Sequence, residues 1–319
     1  MNVIRDTRRL KGKMKSPILT LGNFDGVHLG HQRILKGVKK RAIELGCPSV
    51  VYTFEPHPLK VVAPHRSPPL ITAFEEKVKL VGAFGIDFLV CARFTKRFAD
   101  QHPRRFVKEV LADELEVREV WVGHDYAFGR GKRGTVGYLK ELGREFGFRV
   151  RVIPAYERGG EVVSSSRVRR LIQKGVIKEV IPLLGRPYAL EGVVEKGRNR
   201  GKALGFPTAN MRADRELLPR NGVYAVFVTL GGKVYQGVCN IGVSPTFGRG
   251  GFTIEVYIID FKGSIYGRRM KVAFVDRIRD EIHFKTPELL AEEIKKDVER
   301  AKRIMSNDKV QMINLTVGV

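Results

Sequence analysis

The sequence predicts two folded parts in one chain: a doubly wound parallel α/β sheet, followed by a small antiparallel β-barrel with a C-terminal helix. Three observations lead to this prediction. Short apolar runs alternate with helical stretches from Pro17 to about Leu184, strand-like segments joined by glycine turns follow Gly185, and one amphipathic stretch comes after them. Strand-helix alternation is typical of a parallel sheet, and successive short strands are typical of a barrel. A chain of 319 residues has the length of about two domains.

Five strand-like runs define the first part: ILTLG (18–22), VVYTF (50–54), FLVCARF (88–94), VREVWVG (117–123) and FRVRVIP (148–154). Between the first two lies QRILKGVKKRAIELG (32–46), which ends at a glycine. Its apolar residues recur at helical spacing, at Ile34, Leu35, Val38, Ala42 and Leu45. We assign residues 1–184 to this doubly wound domain.

The second part is predicted from four strand-rich segments: ALEGVVEKG (189–197), GVYAVFVTLGGKVYQGVCNIG (222–242), FTIEVYIIDF (252–261) and MKVAFVDRI (270–278). Gly231-Gly232 is a hairpin signal. A helix is predicted from Thr286 as N-cap and Pro287 to about Met305. Its apolar face is expected at Leu289, Leu290, Ile294 and Val298. We assign residues 185–305 to this domain and leave the tail, 306–319, without an assignment.

The net charge of +24, with a pI near 10.1, indicates an attraction for anions. Nucleic acid is the first partner that such a charge suggests. The 58 Lys and Arg residues are, however, spread over the whole sequence and mixed with 34 Asp and Glu residues. We therefore interpret the excess as surface chemistry of the kind found in thermophile proteins, with some attraction for phosphates. We expect no specific nucleic-acid partner.

A cytoplasmic protein is expected, without membrane attachment. No stretch approaches the roughly 20 apolar residues of a spanning helix, and no signal-peptide pattern follows the charged segment MNVIRDTRRLKGKMK. The three cysteines, Cys47, Cys91 and Cys239, are far apart and in no metal-binding spacing. We expect reduced, buried thiols and neither a disulfide nor a zinc site.

The first candidate site is the run Asn23-Phe24-Asp25-Gly26-Val27-His28-Leu29-Gly30-His31, between the first strand and the first helix. Unpaired N–H groups and the positive dipole at a helix start favour a phosphate chain. His28 and His31 could stabilise charge on a phosphorus atom under attack without a covalent intermediate. An isolated H-x-G-H is equally compatible with two polar residues that cap a helix.

A second run, Ser164-Ser165-Ser166-Arg167-Val168-Arg169, opens another helix, which ends at Gly175. Serine hydroxyls can cap this helix, and Arg169 can clamp phosphates. Taken alone, these residues are more typical of an ordinary N-cap followed by surface arginines.

Together, the two runs resemble the nucleotidyltransferase superfamily, whose fold is Rossmann-like. GNFDGVHLGH (22–31), with TFEPHP (53–58) and VGHDYAFGRG (122–131), is similar to the FMN adenylyltransferase module of bacterial bifunctional FAD synthetases. The resemblance implies that His28 and His31 contact the ATP phosphates, and that Ser164, Ser165 and Arg169 help to close the site. Further nucleotide and flavin contacts are implied at Asn23, Asp25, Gly30 and Asp125. That family commonly has Thr at Ser166 and Phe at Tyr126.

A G-x-G-x-x-G string at residues 129–134 is not interpreted as a dinucleotide fingerprint. Such a fingerprint follows a strand directly and opens a helix in the first βαβ unit, whereas this string comes several residues after the fourth predicted strand. We expect a basic loop there. The sequence contains no Walker A motif.

The second candidate site is the stretch 197–210, GRNRGKALGFPTAN. Glycines and cations can wrap a polyphosphate, while Thr208 and Asn210 offer neutral oxygens to Mg²⁺. For the glycines alone, a polar loop across a barrel end is the simpler interpretation. Glu255 lies on an alternating strand, where a solvent-facing glutamate is an equally good interpretation.

LGFPTAN (204–210) resembles the riboflavin kinase signature, and GVCNIGVSPTFG (237–248) also matches that family. The resemblance implies ATP and flavin contacts at Gly201, Lys202, Gly205 and Pro207, and Mg²⁺ ligands at Thr208 and Asn210. It makes Glu255 the general base for the ribityl hydroxyl. The chain departs from the family at Lys196-Gly197-Arg198, where many relatives have a His-Gly-Asp-like stretch.

Both resemblances, over residues 16 to 305, imply an enzyme that phosphorylates riboflavin to FMN with Mg-ATP and then adenylylates FMN with ATP to give FAD. Two alternatives stay open at this point. One is a nucleotidyltransferase for another phosphate ester, and the other is a basic RNA-binding or DNA-binding protein on an enzyme scaffold.

Overall fold

The computed structural model describes residues 1–10, 12, 14–196, 205–213, 215–243 and 252–307. The chain forms two compact units, of which the first ends at Ser165 and the second begins at Ser166.

Six parallel strands form the sheet of the first unit: β1 Asn2–Ile4, β2 Ile18–Leu21, β3 Ser49–Glu55, β4 Phe88–Arg93, β5 Glu119–Gly123 and β6 Arg149–Ile153. Their order is β1-β4-β3-β2-β5-β6, so β1 is an edge strand, and from the central β2 the chain winds first to β3 and β4 on one side and then to β5 and β6 on the other. The five predicted strands are confirmed. β1 was not predicted, because three residues are too short to show a period.

Helices pack on both faces of this sheet: α1 Leu29–Glu44, α2 Pro58–Val62, α3 Phe74–Gly82, α4 Lys96–Ala99, α5 Pro103–Phe106 with a π-helical continuation Val107–Glu114, and α6 Val136–Phe146. An apolar core lies on each face of the sheet, and successive residues of a strand point alternately into one core and the other. Leu19 and Val50 pack with Val107 on one face, whereas Ile18 and Val51 pack against the α1 side on the other. This arrangement confirms the doubly wound fold. A short hairpin, β7 Glu157–Arg158 and β8 Glu161–Val162, precedes the end of the unit.

Two helices follow, α7 Ser165–Lys174 and α8 Ile177–Leu184, and all of their residues except Ser165 belong to the second unit. The backbone N–H of Arg220 donates to Ile172 O, so α7 is tied to a connection within the barrel, just before the strand that begins at Gly222. By packing, residues 166–184 therefore belong with the barrel. The assignment of 1–184 and 185–305 to two catalytic domains stays a prediction about function.

A closed antiparallel barrel follows, made of β9 Ala189–Glu195, β10 Thr208–Ala213, β11 Gly222–Leu230, β12 Lys233–Val243, β13 Phe252–Ile258 and β14 Arg269–Arg279. The closed order is β10-β13-β12-β11-β14-β9, which confirms the predicted barrel. Gly231 and Gly232 have φ of 56° and 79°, the positive values that a tight hairpin between β11 and β12 requires.

The last helix, α9 Pro287–Asn307, confirms the predicted C-terminal helix, and the hydroxyl of Thr286 accepts a hydrogen bond from the N–H of Leu289. The predicted apolar face was partly wrong, because Leu289 is 49% exposed. Ala301 and Met305 supply the buried contacts with the barrel. The helix docks through its C-terminal half, and its first turn remains in solvent.

Two of the three thiols are buried, those of Cys91 and Cys239, and none forms a disulfide. Cys47 is only half-buried, against the expectation. Over the residues that the structure describes, no helix is long and apolar enough to span a membrane.

Candidate active sites

The loop between β2 and α1 holds the first candidate site in an unusual backbone conformation. Phe24, Gly26 and Val27 have φ of 49°, 81° and 39°. Positive φ is unfavourable for a β-branched residue such as Val27, and local strain of this kind is typical of functional loops. Phe24 and Val27 are both buried, so packing below the loop holds it in place.

Asp25 fixes this loop to the segment before α3. Its side chain is 3% exposed and accepts hydrogen bonds from the N–H of Ile71 at 3.0 Å and from the N–H and hydroxyl of Thr72 at 3.1 and 3.2 Å. Gly26 N–H donates to the same Thr72 hydroxyl at 3.1 Å. The sequence placed Asp25 among the substrate contacts; the structure shows its carboxylate bonded to this backbone.

His28 and His31 stack on each other at the start of α1. Their ring centroids are 3.6 Å apart with an interplanar angle of 18°. His28 is the N-cap of α1, and its Nδ1 accepts a hydrogen bond from the N–H of His31 at 3.3 Å. Because Nδ1 is the acceptor, the proton of the neutral His28 ring is on Nε2. The two imidazoles therefore form one unit, with a donor at the amino end of the helix.

The ring of His28 lies against Gly30 and leaves no room for a side chain there. A Cβ at this position would lie 3.1 Å from both Cε1 and Nδ1 of His28 and 3.6 Å from Cβ of Tyr156. Contacts of 3.1 Å are tighter than ordinary van der Waals packing, so a side chain here would displace the ring. The glycine in H-x-G-H thus makes room for the histidine stack.

His31 is uncharged at neutral pH in this environment. Burial lowers its pKa well below the usual range, and the nearby His28 and Lys77 lower it further. Its Nδ1 is buried and has no hydrogen-bond partner in the described part of the chain. The ring is consequently a neutral donor or acceptor rather than a fixed cation.

Lys77 was missed by the sequence reasoning. It is 5% exposed on α3, and burial is the main cause of a lowered pKa, which Asp25 and Glu55 partly offset. A signal did exist, because Lys77 occupies an apolar stripe with Phe74, Val78 and Val81 at helical spacing. A lysine at such a position is rarely buried without a reason.

Asn23 lies beside a third histidine. Its side-chain amide is 3.3 Å from Nε2 of His57, whose Nδ1 accepts from the N–H of Leu59 and so caps α2. This contact joins the segment TFEPHP (53–58) to the loop that follows β2. Asn23 and His57 join two runs that lie 34 residues apart in the sequence.

Asp125 lies in the segment after β5, and its side chain is 83% exposed, with His124 Nδ1 at 4.0 Å. The next residue, Tyr126, has a buried hydroxyl without a hydrogen-bond partner among the described residues, and burial raises its pKa. Gly129–Gly134 closes a turn through a bridge between Phe128 and Gly134, which is not a strand-to-helix junction. The rejection of a dinucleotide fingerprint is therefore supported.

Ser165, the last residue of the first unit, is bonded to the first loop. Its hydroxyl donates to the backbone carbonyl of Asp25 at 2.8 Å, across 140 residues of sequence. Ser164 precedes it, and Arg169 lies one turn along α7 from Ser165 and is buried. Ser165 therefore lies at the loop that carries His28.

The second candidate site lies on adjacent barrel strands. Asn210 on β10 is directly opposite Glu255 on β13, and Glu255 is directly opposite Asn240 on β12. Residues opposite each other share one face of a sheet, with Cβ atoms about 5 Å apart. Thr208, two residues before Asn210, lies on the same face. The sequence placed Thr208 and Asn210 in a loop, but both belong to β10.

Asn240 was not predicted as a site residue. Its Oδ1 is buried with no hydrogen-bond partner in the described ranges, and its Nδ2 donates to Glu281 at 3.4 Å. It lies in the NIG string, directly opposite Glu255, and the register of β12 and β13 is the signal that identifies it.

Of the remaining predicted contacts, Gly205 has φ of 80° and Pro207 directly precedes β10. Gly201 and Lys202 lie outside the described residues, as do residues 197–198 and 244–248. Within the described residues, no group of three or more His, Cys, Asp or Glu side chains is arranged to hold a metal.

Comparisons with known proteins match each half separately. The family model described as FAD synthetase matches residues 11–167, and the model described as riboflavin kinase matches residues 184–305. A bifunctional riboflavin kinase/FMN adenylyltransferase of Pseudomonas fluorescens is 37% identical over 305 residues, covering 95% of this chain and 98% of the relative. One from Escherichia coli K12 is 36% identical over 299 residues, covering 93% and 96%.

A solved structure titled as a macrolide-efflux protein from Streptococcus pneumoniae has the same fold. Its TM-score is 0.87 at 31% identity, over 95% of this chain and 99% of that one.

Proposed function

The chain belongs to the family of bifunctional riboflavin kinases/FMN adenylyltransferases, and from this premise we propose that it makes FAD from riboflavin in two ATP-dependent steps. The barrel phosphorylates riboflavin to FMN, and the N-terminal site transfers AMP from a second ATP to FMN with release of pyrophosphate. The observation that carries this function is the end-to-end match to relatives that have both activities.

In adenylyl transfer, a phosphate oxygen of FMN attacks the α-phosphorus of ATP, and the bond from that phosphorus to pyrophosphate breaks. No protein nucleophile is required, so positioning and charge stabilisation supply the rate. The amino end of α1 offers N–H groups and its dipole to the phosphate chain, and His28 offers its Nε2 proton. Ser164, Ser165 and Arg169 act at the start of α7, where Arg169 clamps a phosphate. Asn23, Asp25, Gly30 and Asp125 shape the surrounding pocket.

In the kinase step, the oxygen of the ribityl 5′-hydroxyl attacks the γ-phosphorus of ATP, the bond from that phosphorus to the bridging oxygen breaks, and ADP leaves. Glu255 accepts the proton of the hydroxyl. Its place opposite Asn210 supports this role, because Asn210 is one of the residues that would hold Mg²⁺, and a base beside them would lie near the bound phosphates. Gly201, Lys202, Gly205 and Pro207 contact the nucleotide or flavin.

Thr208 and Asn210 are proposed as the protein ligands of Mg²⁺. The donor set fits this ion, since it combines a hydroxyl and an amide oxygen with the carboxylate of Glu255 on one face. Asn240 on the neighbouring strand adds a further oxygen, because its Oδ1 is buried and has no hydrogen-bond partner among the described residues. When bound, Mg²⁺ neutralises phosphate charge during transfer. We further propose that the enzyme acts in the cytoplasm, where both substrates of each step occur.

The experiment is to incubate the pure protein with riboflavin, ATP and Mg²⁺ and to separate the flavins by chromatography. We expect FMN and then FAD; the absence of both would contradict the proposal. His28→Ala is expected to block FMN-to-FAD conversion and to spare FMN formation, and Glu255→Gln is expected to do the reverse. Exposed residues provide the matched controls His65→Ala and Glu292→Gln. Loss of both steps in a folded His28→Ala or Glu255→Gln variant would refute the two-site assignment.

A further inference from the structure

Lys77 is a buried lysine that has no ion-pair partner among the described residues. It is 5% exposed, and its ammonium makes no hydrogen bond and no ion pair with any residue that the structure describes. Transfer of an unpaired charge from water to a protein interior is unfavourable, so such a lysine is normally paired or neutralised. An unpaired one at this depth suggests that its partner is a ligand.

The surroundings of Lys77 place it at the nucleotide site. It lies one turn into α3, and the residues just before α3, Ile71 and Thr72, are bonded to Asp25 in the loop that precedes His28. Lys77 also lies within electrostatic range of His31, whose pKa it lowers. The segment that leads into α3 is therefore held at the loop that precedes the imidazole stack, and Lys77 lies one turn beyond that segment.

Two carboxylates and a thiol also face Lys77, but none of them is an ion-pair partner. Asp25 on the loop and Glu55 on β3 favour its charged form, whereas burial raises the pKa of Cys91 on β4, which is a neutral thiol. Neither carboxylate approaches its ammonium within 4 Å, and the oxygens of Asp25 already accept hydrogen bonds from Ile71 and Thr72. The nearby carboxylates thus reduce the cost of burying the charge of Lys77, but they accept none of the three N–H donors of its ammonium.

We propose that Lys77 is a phosphate-binding residue of the N-terminal site, where its ammonium holds a substrate phosphate together with His28 and His31. This inference rests on the proposed adenylyl transfer. Two substrates carry the required chemistry, the triphosphate of ATP and the phosphate of FMN. A phosphate placed beside the ammonium supplies the missing anion, and a charge-assisted bond in a desolvated site is stronger than one in water.

The test compares Lys77→Met, which removes the charge and keeps a similar length, with Lys79→Met on the exposed face of the same helix. KM and kcat are measured for FMN-to-FAD conversion with ATP and FMN varied in turn. Loss of one charged hydrogen bond predicts about a ten-fold or greater rise in KM for Lys77→Met. The control should match the wild type, and riboflavin phosphorylation by the same chain should be unchanged.

The result also shows which phosphate Lys77 binds. A rise in KM for ATP alone assigns the triphosphate, a rise for FMN alone assigns the FMN phosphate, and a rise for both places the ammonium between the reacting groups. Thermal unfolding gives the structural readout, because removal of an unpaired buried charge should leave the melting temperature equal or higher.

Unchanged KM values, or a Lys77→Met variant that unfolds at a clearly lower temperature, would overturn the proposal, since Lys77 would then be a structural residue. Wild-type conversion of FMN to FAD in the same assay tests the proposed function separately.

Discussion

Replacement of Asp25 by alanine is expected to destabilise the first unit as well as to reduce FAD synthesis. The carboxylate accepts hydrogen bonds from three donors, two backbone N–H groups and the Thr72 hydroxyl, and all lie in a buried environment. Hydrogen bonds to charged groups contribute about 1.5–3 kcal/mol, and each buried N–H left unpaired costs about 1–3 kcal/mol. Partial relaxation reduces the sum, and we expect a loss of about 4 kcal/mol in the free energy of unfolding.

The assay is urea unfolding followed by circular dichroism and by the fluorescence of Trp121, the single tryptophan, which lies on β5 of the first unit. With an m-value of about 2 kcal/mol/M, a loss of 4 kcal/mol lowers the midpoint of the Trp121 transition by about 2 M urea. Asp25→Asn keeps one acceptor oxygen and should lose about half as much. Asp100→Ala, at an exposed position, is the control.

An Asp25→Ala variant with a normal midpoint and no FAD synthesis would refute this reasoning, because Asp25 would then act on substrate alone. A lowered midpoint with normal riboflavin phosphorylation is the expected pattern, since the barrel belongs to the other unit.

Three further predictions follow from single contacts. Gly30→Ala should reduce the rate of FAD formation about ten- to a hundred-fold and leave FMN formation unchanged in the same chromatographic assay, because the new Cβ displaces His28. Arg279→Met removes the close hydrogen bonds that Arg279 donates to Asp297, which is 1% exposed. Asp297 keeps a longer contact with Arg300, at 3.6 Å, so the free energy of barrel unfolding in urea should fall by about 3 kcal/mol, the lower end of the range for a broken buried pair. Because the folded pKa of His31 lies below its unfolded value, stability falls as the pH drops below about 6.5, by at most about 1.4 kcal/mol per unit. A His31→Asn variant should show a smaller loss in thermal stability between pH 7 and pH 5.

The main elements could be predicted because burial leaves a periodic pattern in the sequence. The central strands of the first sheet are apolar runs since both faces are covered, and Val38 and Ala42 mark the buried face of α1. β1 could not be predicted because its three residues, Asn2–Ile4, gain their structure only from pairing with β4. The exposed Leu289 shows the opposite error, since its spacing is helical but its turn of α9 lies beyond the barrel contact.

The candidate sites divide in the same way. H-x-G-H could be identified because the constraint is local: the cap, the stack and the glycine lie within four residues. The bonds from Asp25 to Ile71 and Thr72 could not, because those partners lie 46 and 47 residues away and donate backbone groups that carry no sequence signature.

Lys77 lies between these two cases. Its place in an apolar stripe is visible in the sequence, but only the fold shows that the stripe is fastened beside the histidines. A lysine in such a stripe has two explanations, a buried ion pair or a charge that a ligand completes. The absence of an ion-pair partner among the described residues favours the second. A charged residue in the apolar stripe of a helix therefore indicates a ligand site when the structure shows no ion-pair partner beside it.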